Sequence, residues 1–241
     1  AVKVQYPWLE RSLPADLFWL RLVLRWLGRR RGFDPERLLA EFARGLREEI
    51  DFEREARSAR AIAANLAGDA QILVPRVHDA LSTRRLLVVD YHPCVPVTDR
   101  AGLARLGVAP SEVVTVIARA YAKQVFVDGL FHADPHPGNL FVVDEPGAGE
   151  RPRVLFVDFG LSRHLDPELR DEIRKAMYAL LQRDPDAFLA GMRRMGMIAP
   201  GAEPAVGTSV RRMFERLSGV QAPLGMAGAE VLSLKDEAKA L

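Results

Sequence analysis

The chain has 241 residues, of which 49% are hydrophobic and 27% charged, a composition typical of a globular protein with a substantial core. Its 34 basic residues exceed its 32 acidic residues by only two, so the net charge does not favour a nucleic-acid-binding protein. The single cysteine, Cys94, excludes an internal disulfide framework and a zinc site built from several cysteines.

The first third of the chain predicts a strand followed by helices. The Val-rich residues 1–6 alternate like a strand, which starts so abruptly that we expect the chain to be a piece of a longer protein. Residues 15–28 predict an amphipathic helix with a tryptophan-bearing face, followed by the basic run 29–31. This helix could contact an anionic membrane, or its apolar face could pack on the protein itself. Residues 35–66 predict one long helix.

The remaining elements alternate between short strands and helices. Residues 72–80 and 84–92 predict strands, and the prolines that follow suggest a connector, so we place a boundary between domains 1–93 and 94–241. We expect a helix over 111–127 that ends at Gly129. A hairpin with strands 140–144 and 153–159 should follow, and then three helices over 167–182, 185–196 and 204–218. The order predicts an α+β, two-lobed fold.

The stretch HADPHPGN, residues 132–139, is a shaped loop, because two prolines and a glycine exclude a helix there. It places Asp134 and Asn139 five residues apart, and a D-F-G sequence follows at 158–160. Protein kinases use a strand lysine, a helix glutamate, D-x-x-x-x-N and D-F-G in this order to hold nucleotide phosphates and magnesium. The A-V-K sequence ending at Lys3 and the acidic residues at 48–55 supply the first two parts.

Simpler interpretations of these residues remain open. A strand lysine such as Lys3 often lies on a solvated edge, and the acidic run could be a solvated helix face paired with arginines. His132 and His136 stand four apart, as in helical zinc sites, but prolines break the helix between them. If these histidines do not bind zinc, His132 would anchor the loop, and His136 would lie near a bound metal or support the loop.

The motifs HADPHPGN, VDFG and EIDFEREA (49–56) resemble the UbiB-type atypical kinases, also called the AarF-domain family. The resemblance runs over nearly the whole chain. It implies a protein-kinase-like fold with an incomplete N-terminal lobe, ATP and Mg²⁺ as cofactors, and a small-molecule or lipid substrate.

The resemblance also implies roles for individual residues. Lys3 and its helix partner Glu55 would bind the nucleotide, and Asn139 and Asp158 would be the metal ligands. Asp134 would be the catalytic residue, and Glu49 and Asp51 would form the E-x-D pair of the family. Asp51 and Glu55 are also expected to share one helix face, because they are four residues apart. Loop support would come from His132, His136, Gly138, Phe159 and Gly160.

The chain departs from the family in several places. It lacks the K-x-G-Q motif and the Ala-rich nucleotide loop, and it has Asp90 and Cys94 where the family usually has glutamate and glycine. Ala133 replaces the arginine of H-R-D, and a helix is expected near Pro167, soon after D-F-G, which argues against peptide substrates and activation by loop phosphorylation.

The resemblance implies an ATPase-like or kinase role in isoprenoid-quinone (ubiquinone) or lipid metabolism. The alternatives are a non-catalytic kinase-like scaffold and an aminoglycoside- or choline-type phosphotransferase. We expect a cytoplasmic protein that could lie at the inner face of a membrane, without nucleic-acid partners.

Overall fold

The computed structural model describes residues 1–27, 35–144 and 152–218. The α-helices, α1 to α8 in chain order, are Leu9–Leu27, Pro35–Glu49, Phe52–Leu66, Arg100–Arg105, Pro110–Ala122, Pro167–Leu181, Pro185–Arg194 and Glu203–Ser218. The strands, β1 to β8, are Val2–Val4, Ile72–Leu73, Leu86–Val88, Cys94–Pro96, Leu130–Phe131, Leu140–Val143, Val154–Phe156 and Arg163–His164.

The contacts of the chain group into two compact units. The first comprises Ala1–Tyr121 with His132–Arg163, and the second comprises Ala122–Phe131 with the chain from His164 onward. The expected boundary near residue 93 stays a prediction. Among the described helices, none combines the length and the apolarity needed to cross a bilayer.

In the first unit, the expected hairpin is present and joins the two motif-bearing loops. Strands β6 and β7 pair antiparallel, with Leu140 opposite Phe156, and the order of this sheet is β2-β7-β6-β4. The predicted turn at 145–151 lies outside the described residues. Cys94–Pro96, interpreted above as a connector, is instead an edge strand. An edge position tolerates Pro96, because its missing N–H removes no bond within the sheet.

The predicted helix over 35–66 is wrong, because it is two helices. Asp51 leaves the helical region with φ −98° and ψ 92°, and its side chain accepts a hydrogen bond from the backbone N–H of Arg54. Asp51 is thus the N-cap of α3, and a cap residue satisfies a donor that has no partner within the helix. The spacing had suggested that Asp51 and Glu55 share one helix face, and this expectation is wrong because Asp51 lies at the cap and not within the helix.

Helix α3 positions the site because one of its faces is buried. The buried residues recur with helical spacing and are Phe52, Glu55, Ala56, Ala59, Ile62 and Leu66. All are apolar except Glu55, which is 3% exposed. A carboxylate is rarely buried without a partner, so its surroundings need an explanation.

The helices of the second unit follow the predicted pattern. Asp166 and Asp184 cap α6 and α7 with side-chain hydrogen bonds to backbone N–H groups. Leu189, Val210 and Phe214 form a buried cluster between α7 and α8. Gly129 ends the preceding helical segment with φ 67°, which confirms the predicted stop.

Candidate active site

Lys3 lies on β1, whose pairing with β3 sets the lysine opposite Leu87. Its Nζ donates to Oε2 of Glu55 at 2.9 Å and to Oε1 at 3.1 Å. The same Nζ lies 3.1 Å from Oδ1 of Asp158 and 5.4 Å from the centre of the Phe52 ring. One ammonium group therefore joins a buried helix carboxylate to the D-F-G aspartate.

Electrostatics explain why this lysine stays charged. Partial burial by itself lowers the pKa of Lys3, but the carboxylates of Glu55 and Asp158 outweigh it and hold that pKa above its ordinary value. Burial raises the pKa of Glu55, and Lys3 partly offsets the rise. The nearby backbone N–H of Phe159 also acts to lower the pKa of Glu55. Lys3 is thus the main group that opposes the effect of burial on the pKa of Glu55.

His132 anchors the start of the loop, as expected. It is 1% exposed, and its Nε2 lies 2.9 Å from the carbonyl oxygen of Val157. A carbonyl can only accept, so Nε2 carries the proton, and in the neutral ring Nδ1 accepts from the Tyr121 hydroxyl at 3.2 Å. Phe159 packs edge-on against the imidazole, with ring centres 5.2 Å apart. The histidine therefore ties the loop to the strand that leads into D-F-G.

Asp134 and Asn139 face each other across the loop. The Asn139 side-chain N–H donates to Oδ2 of Asp134 at 2.7 Å and to its backbone oxygen at 3.3 Å. His136 caps the short 3₁₀ turn Pro137–Asn139, with Nδ1 accepting from the backbone N–H of Gly138 at 3.0 Å. His136 therefore supports the loop in this structure. The orientation of the amide leaves the Asn139 oxygen as the atom that could ligate a metal.

Asp158 has a left-handed backbone, with φ 64°. This conformation is costly for a residue with a side chain and is concentrated at functional sites. The preceding Val157 donates its N–H to the backbone oxygen of Asn139 at 3.0 Å. The hairpin thus brings Asn139 and Asp158 to adjacent positions.

Lys3, Asp134 and Asp158 line one cavity of about 380 Å³ within the first unit, and Asn139 and Glu55 are not part of its lining. Its wall includes Lys3, Asp134, Asp158 and Gly160 together with apolar side chains from β1 and α3. Among the described residues, no group of three or more His, Cys, Asp or Glu side chains is arranged to hold a metal. Mg²⁺ usually takes one or two protein carboxylates plus substrate phosphates and water, so the Asp158 carboxylate with the Asn139 oxygen fits that ion in the presence of a nucleotide.

Of the E-x-D pair, Asp51 is not brought to this cavity. Asp51 lines a different cavity of about 690 Å³, together with Glu48 and Arg54. The side chain of Glu49 lies outside what the structure describes. Asp90 accepts from Nε2 of His78 at 2.7 Å, and this bond holds the pKa of Asp90 below its ordinary value.

Two residues of the site were not found from the sequence. Burial and the nearby Asp134 charge raise the pKa of Tyr121, so its hydroxyl keeps its proton and serves as a donor to His132. Arg54 contacts the segment after D-F-G. An aromatic residue in a helix is typical of a core, and an arginine beside acids is typical of a surface, so neither pattern signals a site.

The model of the ABC1 atypical kinase-like domain matches residues 1–191. That match covers most of the chain, which therefore belongs to this family. The resemblance drawn from the motifs is confirmed. A solved Mycobacterium tuberculosis structure, Rv3197 in complex with erythromycin, has a TM-score of 0.59 at 24% identity and is matched over 83% of this chain and 49% of that one. It supports the α+β, kinase-like fold.

Relatives in plants and animals carry kinase names. The chloroplast protein ACTIVITY OF BC1 COMPLEX KINASE 8 of Arabidopsis thaliana is 32% identical over 220 residues, covering 88% of this chain and 28% of the relative. AarF domain-containing protein kinase 1 of Gallus gallus is 30% identical over 197 residues, covering 81% and 38%. The chain thus spans between about a quarter and two fifths of the length of these relatives.

Proposed function

We propose that the chain binds ATP with Mg²⁺ and transfers the terminal phosphoryl group to a small molecule, a lipid or water. The observation that carries the proposal is the position of Lys3, whose Nζ contacts Glu55 and Asp158 in the cavity that Asp134 also lines. A lysine held by a helix glutamate beside a D-F-G aspartate is the arrangement that kinases use for phosphate binding.

Each side chain has a role that its position supports. Lys3 would bind the nucleotide phosphates, and the Asp158 carboxylate with the Asn139 oxygen would hold Mg²⁺. The metal, when bound, neutralises charge on the phosphates. Asp134 would orient the acceptor hydroxyl or water and accept its proton, while its hydrogen bond from Asn139 fixes the carboxylate.

The acceptor is proposed from the chain that follows D-F-G. Helix α6 begins at Pro167, so only six residues separate it from Gly160. So short a segment leaves no long activation loop on which a peptide substrate could lie. We therefore favour a small-molecule or lipid acceptor, or ATP hydrolysis, in support of isoprenoid-quinone (ubiquinone) or lipid metabolism.

Thermal unfolding with ATP or ADP, each with and without Mg²⁺, tests the proposal. At a nucleotide concentration of about 100 times Kd, binding stabilises by about 2.7 kcal/mol, which raises Tm by roughly 5 to 10 °C. Asp158→Asn should lose the Mg²⁺-dependent part of the rise, and Asp186→Asn, at an exposed position of α7, should keep it. Equal shifts in both variants contradict the role of Asp158. Binding without any turnover would instead favour a kinase-like scaffold.

Contact with an anionic membrane is a separate proposal, which rests on helix α1. Phe18, Trp19, Leu22 and Val23 are 56%, 65%, 43% and 50% exposed. An exposed apolar face next to arginines suits the interface of an anionic bilayer. Co-sedimentation with phosphatidylserine vesicles should weaken several-fold in Trp19→Ser but not in Tyr178→Ser, a half-exposed aromatic residue of α6. Equal co-sedimentation of both variants and the wild type contradicts this proposal.

A further inference from the structure

Arg54 precedes Glu55 on α3 and contacts the chain that follows the D-F-G aspartate. Its Nη1 donates to the backbone oxygen of Gly160 at 3.3 Å, and its Nη2 donates to the backbone oxygen of Ser162 at 3.3 Å. The guanidinium also lies 3.1 Å from Oε2 of Glu48. One side chain therefore binds two carbonyls of this segment and a carboxylate of α2.

Few other polar contacts hold Ser162. The residue is 4% exposed, and its hydroxyl oxygen is one of two buried side-chain polar atoms without a partner among the described residues. Its N–H donates to the Phe159 oxygen at 3.1 Å within the same turn. Within the described parts of the chain, the hydrogen bond that links Ser162 to another element is therefore the one from Arg54.

The guanidinium is itself fixed in place. Oε2 of Glu48 lies 2.7 Å from Nη1 of Arg163, so this carboxylate is shared between the arginine on the helix and an arginine of the segment. The Arg54 side chain is 25% exposed and that of Glu48 30% exposed, which limits screening by water. A planar guanidinium can direct separate N–H groups to all three acceptors, and a lysine ammonium cannot reproduce that fork.

Two consecutive residues of α3 thus contact the D-F-G segment at different points. The Glu55 carboxylate lies near the Phe159 N–H and contacts Lys3, which in turn contacts the Asp158 carboxylate. Arg54 holds the carbonyls on the other side of Gly160. The segment between them begins with the left-handed Asp158, and such a conformation persists only where its surroundings hold it.

We propose that Arg54 is a positioning residue that keeps the D-F-G segment in the conformation in which Asp158 can ligate magnesium. This inference deepens the proposed function and rests on it for the metal. Arg54 lines the larger cavity and not the cavity of Lys3, so it acts through the segment and does not contact the nucleotide. Loss of the guanidinium contacts of Arg54 should therefore weaken magnesium-dependent nucleotide binding and leave metal-free nucleotide binding intact.

The test compares Arg54→Lys with Arg57→Lys, a change of the same chemistry at an exposed position one helical turn away. Two quantities are measured: the ratio of the ADP dissociation constants without and with Mg²⁺, and amide hydrogen exchange over residues 159–163. Arg54→Lys should lower the ratio and speed exchange, each on the order of tenfold, as expected for the loss of one hydrogen bond to a charged group. Metal-free ADP affinity should stay within about twofold, and Arg57→Lys should match the wild type in all measurements.

The two readouts separate the possible failures. Unchanged exchange over 159–163 in Arg54→Lys overturns the inference whatever the nucleotide does. Faster exchange with an unchanged Mg²⁺ ratio shows a structural contact only and overturns the positioning role. If the wild-type protein shows no Mg²⁺-dependent ADP binding, the proposed function is refuted, and so is the role of Arg54 in positioning Asp158 for magnesium. The exchange data would still show whether Arg54 holds the segment in place.

Discussion

Removing the charge of Lys3 should expose how strongly the buried Glu55 depends on it. The Glu55 side chain is 4% exposed and that of Lys3 43% exposed. Breaking a fully buried ion pair costs about 3 to 5 kcal/mol, and the exposure of the lysine reduces this through solvent screening. We expect Lys3→Met to lower the free energy of unfolding by about 1 to 2 kcal/mol, or Tm by roughly 2 to 8 °C.

The loss should depend on pH in a defined direction. Burial already raises the pKa of Glu55, and without Lys3 the pKa rises further, with the Asp158 carboxylate still nearby. A carboxyl group whose folded pKa is raised contributes stability below its unfolded pKa, ordinarily 4.5, and loses it as the pH rises through the folded value. The difference between wild type and variant should therefore be small near pH 5 and largest at pH 8.

Urea unfolding of Lys3→Met, Glu55→Gln and the double variant at both pH values measures the effect. Because Glu55→Gln removes the buried charge, the double variant should be about 1 to 2 kcal/mol more stable at pH 8 than the sum of the single changes predicts. Lys175→Met, which breaks an exposed pair on α6, should cost less than about 0.5 kcal/mol. Additive losses, or an equal loss for Lys3→Met at pH 5 and pH 8, would refute this account of Glu55.

Four further substitutions test the local structure by urea unfolding. Gly129→Ala should destabilise the protein by about 1 to 2 kcal/mol, because φ 67° disfavours any side chain. Gly45→Ala inside α2, where an added Cβ meets nothing within 4 Å, should stabilise it by about 0.5 to 1 kcal/mol. A change of the same sign in both variants would contradict the assigned backbone. His132→Leu should cost about 1 to 3 kcal/mol through the unpaired Val157 carbonyl, and a neutral result would show that this bond is unimportant. Asp51→Ala should cost about 1 kcal/mol as a lost N-cap, and no loss would mean that α3 begins without it.

The local chemistry of the site could be predicted from the sequence. The prolines and glycine of residues 132–139 required a loop. The Val-rich runs 140–144 and 153–159 that follow required strands, and the short connection between these runs required a hairpin. That hairpin alone brings Asn139 next to Asp158, because register is set within a few residues of the turn. The family resemblance rests on the same local motifs.

One error concerned a local helix cap and the other a pairing with a distant strand. An unbroken run of helix-forming residues over 35–66 concealed the cap at Asp51, because helix propensity is too weak a term to show where a helix ends and turns. Cys94–Pro96 forms a strand because it pairs with β6 at the edge of the sheet, and no local property of those residues required this pairing.

The sequence by itself determined which groups the chain carries and which loops present them. Only the tertiary structure decided that Lys3, 52 residues from Glu55, meets that carboxylate, and that Arg54 binds carbonyls more than 100 residues away. The physical reason is that helix capping and turn chemistry act between near neighbours in the chain. Ion pairing in a buried setting, by contrast, depends on which distant segments the core brings together and removes from water.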